Sequence, residues 1–237
     1  MNKAVRKITI SALLLALTVI CLKVIAINPG FSFVRVSLGP ALIIFSSLFL
    51  GPVYGGVVGA GSDLLGAFVF PTGEYQPLFT LVYGLLGVLP WFLNFILKRI
   101  NNRKFTAIFF NFLLICWSIA TVLTVWLYPQ INEMNLKIIY SSVGVALAIG
   151  TIISLFFISK HFQNKFPEYD NKFYRYALIC LICEIVLMVF GNSLVKSIHF
   201  SQPYMLMVEW MALISFINIP INSFGSYYLE ILLSKIR

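Results

Sequence analysis

Charge is scarce in this chain, and its scarcity limits the class of protein before any motif is considered. Charged residues make up 11% of the 237 residues and hydrophobic residues 60%, whereas a soluble domain carries about 25% charged residues. A soluble domain of this size still exposes roughly a quarter to a third of the area of its unfolded chain. This composition excludes an ordinary soluble enzyme, a disordered chain and a nucleic-acid-binding domain, and it indicates a membrane protein.

The sequence also lacks the short motifs of common enzyme classes. It contains no G-x-x-x-x-G-K-[ST] phosphate loop, no G-x-S-x-G elbow, no H-E-x-x-H zinc motif and no G-x-G-x-x-G fingerprint. The two histidines, His161 and His199, fall on opposite sides of the membrane in the topology derived below, so they cannot share a metal. We therefore predict that the chain is not an enzyme and holds no cofactor and no metal.

Cysteines are few, and all four lie in apolar stretches. Cys180 and Cys183 have C-x-x-C spacing, but neither a histidine nor a second cysteine pair accompanies them. We interpret them as buried apolar side chains rather than as a redox or zinc site.

Long apolar runs dominate what is present. A spanning helix needs about 20 mainly apolar residues, and the sequence divides into eight such segments. The predicted spans are residues 6–27, 37–50, 53–70, 77–98, 105–128, 137–159, 174–195 and 205–233. The runs do not alternate polar with apolar residues, which favours helices over a barrel. The prediction is an all-α integral membrane protein, a polytopic helical bundle that forms a single membrane domain over residues 1–237.

The eight segments differ in content. Spans five and six, residues 105–159, carry fewer small and polar residues than the others, and we expect them to be a two-span insertion in a six-helix core. The first span follows Lys3, Arg6 and Lys7, as a signal peptide would. A retained span is the simpler interpretation, because the rest of the chain is equally apolar.

The basic residues are divided unequally between the two sides of these spans. Thirteen of the 17 Lys and Arg residues fall on the side of the two termini and four on the other. Positive charge accumulates on the cytoplasmic side of membrane proteins, so both termini are predicted to be cytoplasmic. The net charge of +9 is explained in the same way, without a nucleic-acid partner.

Small residues at helical spacing mark two close-packing faces. Ala12 and Ala16 share one face of the first span, where another helix can approach closely. That helix is either a neighbour in the bundle or an external partner. Gly51, Gly55 and Gly59 form a similar row at the third span, which we expect to pack inside the bundle.

Polar residues at membrane depth and in the outer loops are candidates for a binding site. Asp63 lies within the third span, where a carboxylate costs at least ~2.5 kcal/mol and marks a substrate path, an ion site or a buried pair. Aromatic rings in the outer loops can stack a planar heterocycle, and Arg35 can hold a carboxylate; an interfacial aromatic belt is the alternative. The candidate substrate-binding residues are Phe33, Arg35, Ser37, Asp63, Tyr75, Phe79, Thr80, Asn192 and Glu209.

Several of these segments resemble one protein family. F-S-F-V-R-V-S-L-G-P at residues 31–40, G-S-D-L-L-G-A at residues 61–67 and F-P-T-G at residues 70–73 follow the A-x-x-x-A of the first span. They resemble the substrate-binding S component of energy-coupling factor (ECF) vitamin transporters, and most of all its folate branch. The resemblance covers about residues 8–98 and resumes weakly in the last two spans.

The resemblance implies a function and a set of partners. Such a protein captures a vitamin, here folate or a derivative, at the outer face of the bacterial cell membrane. It docks through Ala12 and Ala16 on a transmembrane coupling subunit that two ATP-binding cassette ATPases drive, and it has no ATPase activity itself. Arg35 would face a substrate carboxylate. The chain departs from the family in its two extra spans and in Glu209, where a basic residue is expected.

Two other functions stay open on the sequence alone. The chain is either an S component for a different vitamin or a self-sufficient secondary transporter. A secondary transporter would use Asp63, Glu184 and Glu209 as a proton or cation relay.

Overall fold

We describe the fold from a computed structural model that covers residues 3–27, 36–71, 74–99, 102–127, 134–165 and 170–234. The described residues form helices joined by short connections, and a single β-bridge pairs Ile27 with Val36. The helices are α1 (Lys3–Lys23), α2 (Gly39–Leu50), α3 (Pro52–Val69), α4 (Pro77–Leu97), α5 (Arg103–Leu127), α6 (Met134–Lys165), α7 (Asp170–Cys183), a π-helical segment (Glu184–Gly191), α8 (Asn192–Phe200) and α9 (Tyr204–Ser234).

The prediction of an all-α polytopic membrane protein is confirmed. Seven of the described helical segments are long and apolar enough to cross a membrane. Among them, α7, the π-helical segment and α8 run on as one span from Lys172 to Phe200. The remaining predicted span is α2, which is apolar but has only 12 residues. At 1.5 Å per residue it is about 18 Å long, shorter than a hydrocarbon core of about 30 Å.

Helix α2 lies in the centre of one half of the bundle. It packs on α1, α3, α4 and α9, and all its residues except Leu48 and Phe49 are buried. A helix enclosed on all sides is apolar all round, and α2 is apolar apart from the two small residues Ser46 and Ser47. Gly51 alone separates α2 from α3, and its positive φ of 108° is a conformation that only glycine adopts without strain.

Glycines bring α3 and α4 together, as the G-x-x-x-G row predicts. A Cβ atom on Gly55 would overlap the backbone oxygen of Gly87, and one on Gly59 would overlap the backbone oxygen of Tyr83. The two backbones are therefore in direct contact, which only glycine allows at these positions. This contact fixes α3, and with it Asp63, against the start of α4.

Helices α5 and α6 pair with each other and pack on α7 and α9. Two hydrogen bonds attach them to α9: Trp117 Nε1 donates to Ser215 Oγ at 3.0 Å, and Thr151 Oγ1 donates to the backbone oxygen of Phe216 at 2.6 Å. Many of their other side chains are exposed and apolar, as lipid-facing residues are. That residues 105–159 are an insertion within a single domain stays a prediction.

Candidate ligand-binding site

A cavity of about 280 Å³ lies among α1, α2, α3, α4, the π-helical segment, α8 and α9. Residues just before α4 also line it, whereas the described residues of α5 and α6 do not. The lining residues are Leu22, Lys23, Ser37, Pro40, Asp63, Ala67, Glu74, Tyr75, Gln76, Phe79, Tyr83, Met188, Asn192, Lys196, His199, Phe200, Met211 and Asn218. Apolar walls with a few polar groups are typical of a small-molecule site.

Asp63 is part of a hydrogen-bonded chain at one wall of this cavity. Thr80 Oγ1 donates to Asp63 Oδ2 at 2.7 Å, and Thr80 Oγ1 lies 2.8 Å from the Tyr75 hydroxyl. Since the carboxylate only accepts hydrogen bonds, the threonine donates to it and the tyrosine donates to the threonine. The Tyr75 ring also stacks on Phe68, with centroids 6.2 Å apart. The chain connects the residues before α4 to the middle of α3.

Lys23 provides a positive charge beside Asp63. The aliphatic part of the Lys23 side chain occupies the space above Gly66, where a Cβ atom would meet it. Its ammonium group is near enough to attract the Asp63 carboxylate. Both residues line the cavity, so this wall combines an acceptor and a cation.

A second part of the lining is formed by the π-helical segment, α8 and α9. Lys196 Nζ lies 3.0 Å from Met211 Sδ, and Asn192 Nδ2 lies 3.2 Å from Met188 Sδ. His199 and Asn218 complete the polar lining on this side. Polarisable thioethers are good neighbours for aromatic rings, so this wall is suited to the flat face of a heterocycle.

The structure brings together most of the described residues that the sequence analysis proposed for binding. Ser37, Asp63, Tyr75, Phe79 and Asn192 line the cavity, and Thr80 is hydrogen-bonded to two of them. Phe33 and Arg35 lie outside the described residues.

Glu209 does not join this group. It lies beside a separate cavity of about 10 Å³ with residues of α5 and α6, among them Thr121 and Tyr140, and one of its oxygens has no hydrogen-bond partner. That volume is about the size of one water molecule. Glu209, which the sequence analysis proposed for substrate binding, is therefore not among the residues that line the large cavity.

Several lining residues were not among the candidates from sequence. Lys23, Lys196 and His199 are positively charged or titratable, and Asn218 lies deep in α9. Lys23 and Lys196 carried a signal, because they are two of the four basic residues on the side where positive charge is scarce. Within the described ranges, no group of three or more His, Cys, Asp or Glu residues is arranged to hold a metal ion.

Ala12 and Ala16 both lie on the exposed face of α1, and Leu13 and Leu17 beside them are 70% and 42% exposed. The structure thus leaves this small-residue face uncovered by the described part of the bundle. Exposure does not distinguish lipid from a partner helix, so docking at this face stays a prediction.

The fold and the cavity define a polytopic helical membrane protein with a cavity among its helices. A family model described as "ECF-type riboflavin transporter, S component" matches residues 2–160, and the chain belongs to this family. The match runs through α5 and ends at residue 160, within the last turns of α6. This is a family of transporter S components and not of enzymes, as the sequence analysis predicts.

One curated relative is the Folate transporter FolT of Clostridium novyi (strain NT). It is 32% identical over 100 residues, which make up 40% of this chain and 53% of the relative. The chain thus matches about half of the length of that relative. No solved structure matches the chain.

Proposed function

We propose that the chain captures a vitamin at the outer face of the cell membrane as the substrate-binding subunit of an ECF importer, with folate or a folate derivative as the first candidate. The observation that carries the proposal is the cavity itself. It combines three basic side chains, Lys23, Lys196 and His199, with the aromatic Tyr75 and Phe79. Basic groups suit the carboxylates of the glutamate tail, and aromatic and thioether groups suit the pterin ring.

The proposal includes the partners and the orientation. The chain docks through Ala12 and Ala16 on a transmembrane coupling subunit, two ATP-binding cassette ATPases supply the energy, and both termini lie in the cytoplasm. The absence of a phosphate-loop motif from the sequence agrees with ATP hydrolysis by a partner. Accessibility of a terminal tag to protease in sealed, right-side-out vesicles tests the orientation.

Riboflavin is the second candidate, because the matching family model is named for it. The two vitamins differ in charge: folate carries carboxylates, whereas riboflavin is neutral. Riboflavin therefore gains less than folate from the basic side chains of the cavity.

The test is calorimetric titration of the purified chain in detergent with folic acid, reduced folates and riboflavin. We expect nanomolar binding of a folate, about −12 kcal/mol, and weaker binding when Arg35 or Lys196 is replaced by alanine. Tight binding of riboflavin alone, unaffected by Lys196→Ala, would assign the chain to riboflavin. Absence of binding by the folded chain to all of them would contradict both assignments.

The alternative of a self-sufficient transporter has its own test. The three carboxylates that a relay would need have different contacts. Asp63 accepts a hydrogen bond from Thr80, Glu184 accepts hydrogen bonds from Asn218 and Asn222, and Glu209 lies beside α5 and α6. We expect no uptake by the chain alone in liposomes under a proton gradient. Uptake without any partner subunit would support the relay instead.

A further inference from the structure

Two buried amide side chains of the cavity have an oxygen without a hydrogen-bond partner. Asn192 and Asn218 both line the cavity, and they are only 5% and 6% exposed. The Oδ1 atom of each has no partner. A buried acceptor left unpaired is destabilising, and a ligand that donates a hydrogen bond there would remove that cost.

The orientation of the Asn218 amide is fixed from behind by Glu184. Asn218 Nδ2 donates to Glu184 Oε1 at 2.8 Å, and Asn222 Nδ2 donates to Glu184 Oε2 at 3.2 Å. Glu184 is 2% exposed, and each of its two oxygens accepts from one of these amide nitrogens. The amide nitrogen of Asn218 therefore points to Glu184 and its oxygen points away. The Asn192 amide has no comparable constraint, since its nitrogen contacts only the sulfur of Met188.

The local backbone explains how one carboxylate reaches both amides. Asn218 and Asn222 are four residues apart and share one face of α9, with Pro220 between them. Glu184 is the first residue of the π-helical segment, and π-helical turns inside α-helices occur frequently at functional sites. Only Asn218 of this pair of asparagines lines the cavity.

We propose that Asn218 Oδ1 accepts a hydrogen bond from a ring lactam N–H of the bound heterocycle, and that Glu184 is the positioning residue that holds the amide in this orientation. The inference rests on the proposed function and names the part of the vitamin that this wall of the cavity binds. A flat ring is expected here because Met188 and Met211 line the same wall. Pterin and isoalloxazine rings both carry a lactam N–H, so the inference holds for either vitamin.

The experiment compares each vitamin with its analogue methylated at that ring nitrogen. The wild-type chain is expected to bind the parent compound roughly tenfold or more tightly than the methylated analogue, because the analogue leaves the buried oxygen unpaired. Asn218→Ala should bring the ratio of the two affinities close to one. The ratio is measured on one protein sample, so partial loss of folded protein does not alter it.

Two further variants separate positioning from structural support. Glu184→Gln places an NH₂ group against one of the two asparagine amides, so we expect a reduced ratio and, combined with Asn218→Ala, no further reduction. Asn222→Ala is the matched control: it removes the other hydrogen bond to Glu184 but no lining residue, and the ratio should stay at the wild-type value. If Asn218→Ala fails to fold, Glu184→Gln carries the test.

The outcomes distinguish this inference from the proposed function. Wild-type binding with an unchanged ratio in Asn218→Ala or, where that variant does not fold, in Glu184→Gln overturns the role of Asn218 and leaves the vitamin assignment standing. An equal loss of ratio in Asn222→Ala would reduce Glu184 and both asparagines to structural support. Absence of wild-type binding to both parent vitamins contradicts the proposed function, and this inference with it.

Discussion

Thr80 is the residue on which the wall around Asp63 depends. Its hydroxyl joins the Asp63 carboxylate to the Tyr75 hydroxyl. Thr80→Val keeps the shape of the side chain and removes both hydrogen bonds. We expect a loss of about 1–3 kcal/mol in unfolding free energy, because the largely buried Asp63 carboxylate loses its donor, and weaker vitamin binding, because Tyr75 is no longer held at the cavity. Thermal unfolding and titration in detergent measure the two effects.

Thr9→Val is the matched control for this substitution. The Thr9 hydroxyl bonds only to the backbone oxygen of Val5 in its own helix, on an exposed face. The control should leave both the unfolding temperature and the affinity near the wild-type values. If Thr80→Val behaves like Thr9→Val, the hydrogen-bonded chain does not support the wall.

The contrast between Asp63 and Glu209 explains how far sequence could identify the site. Each is a carboxylate in an apolar helix, and both were proposed for binding. Glu209 lies nine positions before Asn218 on α9, which at about 100° per residue places them on opposite faces. Met211 lies seven positions before Asn218 and shares its face. The sequence shows that a polar residue lies at membrane depth. The direction in which that residue faces can be inferred only when another residue of the same helix is known to line the site.

Lys23 illustrates a second limit on predicting the site from the sequence, which is the contact between residues distant in the chain. A lysine at the end of a spanning helix is ordinarily an interfacial residue. Its role at the cavity depends on Gly66 of α3, which leaves the space that the Lys23 side chain fills. Two residues so distant in the chain are brought together only by the packing of α1 on α3.

At the scale of the helices, a threonine of α6 donates a hydrogen bond that replaces one lost within α9 at Pro220. Proline has no backbone N–H, so the backbone oxygen of Phe216, four residues earlier, loses its partner within α9. Thr151 Oγ1 donates to that oxygen at 2.6 Å. We expect Thr151→Val to lower the unfolding free energy by about 1–3 kcal/mol, because the buried oxygen is left unpaired. Vitamin affinity should also fall, since Asn218 lies in the same turn of α9.

Thr124→Val serves as the control for Thr151→Val. The Thr124 hydroxyl bonds to the backbone oxygen of Thr121 within α5, so its loss leaves no oxygen of α9 unpaired. Thermal unfolding of the two variants in the same detergent compares them directly. Equal stability of both variants would show that α6 does not support the proline turn.

The contact between α3 and α4 predicts a second effect at this scale. Gly55→Ala places a methyl group against the backbone of Gly87, and backbone atoms cannot move aside as a side chain can. We expect a loss of about 1–3 kcal/mol or more, seen as a lower unfolding temperature. Gly150→Ala is the control, because a Cβ atom there meets nothing within 4 Å, and alanine should stabilise that exposed helix by about 0.5–1 kcal/mol. Similar unfolding temperatures for the two variants would contradict the close contact.

The helices themselves were largely predictable, and the errors have a physical cause. The seventh span was predicted over residues 174–195, whereas the continuous helical segment runs from Asp170 to Phe200. The mean hydropathy of the sequence falls around Lys172 and Arg175. The helical hydrogen bonds nevertheless continue beyond the apolar residues into the polar interface of the membrane. The sequence carries no marker for the π-helical segment, because its apolar residues are of the kinds that also form α-helical spans.

At the scale of the whole molecule, the bundle separates into helices that line the cavity and the pair α5–α6 that does not. The pair is nevertheless held to α9 by Trp117 and Thr151. An aromatic cluster of Phe162, Phe173 and Tyr227 joins α6, α7 and α9 at the opposite end from the cavity. The ring centroids of each pair in this cluster lie no more than 5.7 Å apart. These contacts make α5–α6 a support for the cavity wall, whether or not the pair arose as an insertion.

The uncovered face of α1 leads to a prediction about the assembled transporter. Ala12 and Ala16 are exposed, and small residues four apart permit close helix approach. Replacing both by tryptophan should leave vitamin binding by the isolated chain unchanged, because neither residue lines the cavity. Uptake by vesicles that contain the coupling subunit and the two ATPases should be lost, because the partner helix can no longer approach.

The control for this prediction is a bulky substitution on an equally exposed face elsewhere. Ala146 of α6 is exposed and lies on the pair that does not line the cavity, so Ala146→Trp should affect neither binding nor uptake. Normal uptake by the Ala12 and Ala16 variant would show that α1 faces lipid in the working transporter. Loss of binding together with uptake would instead show that the substitutions disturb the cavity, which α1 lines through Leu22 and Lys23. Only the combination of intact binding and lost uptake identifies the α1 face as the docking surface.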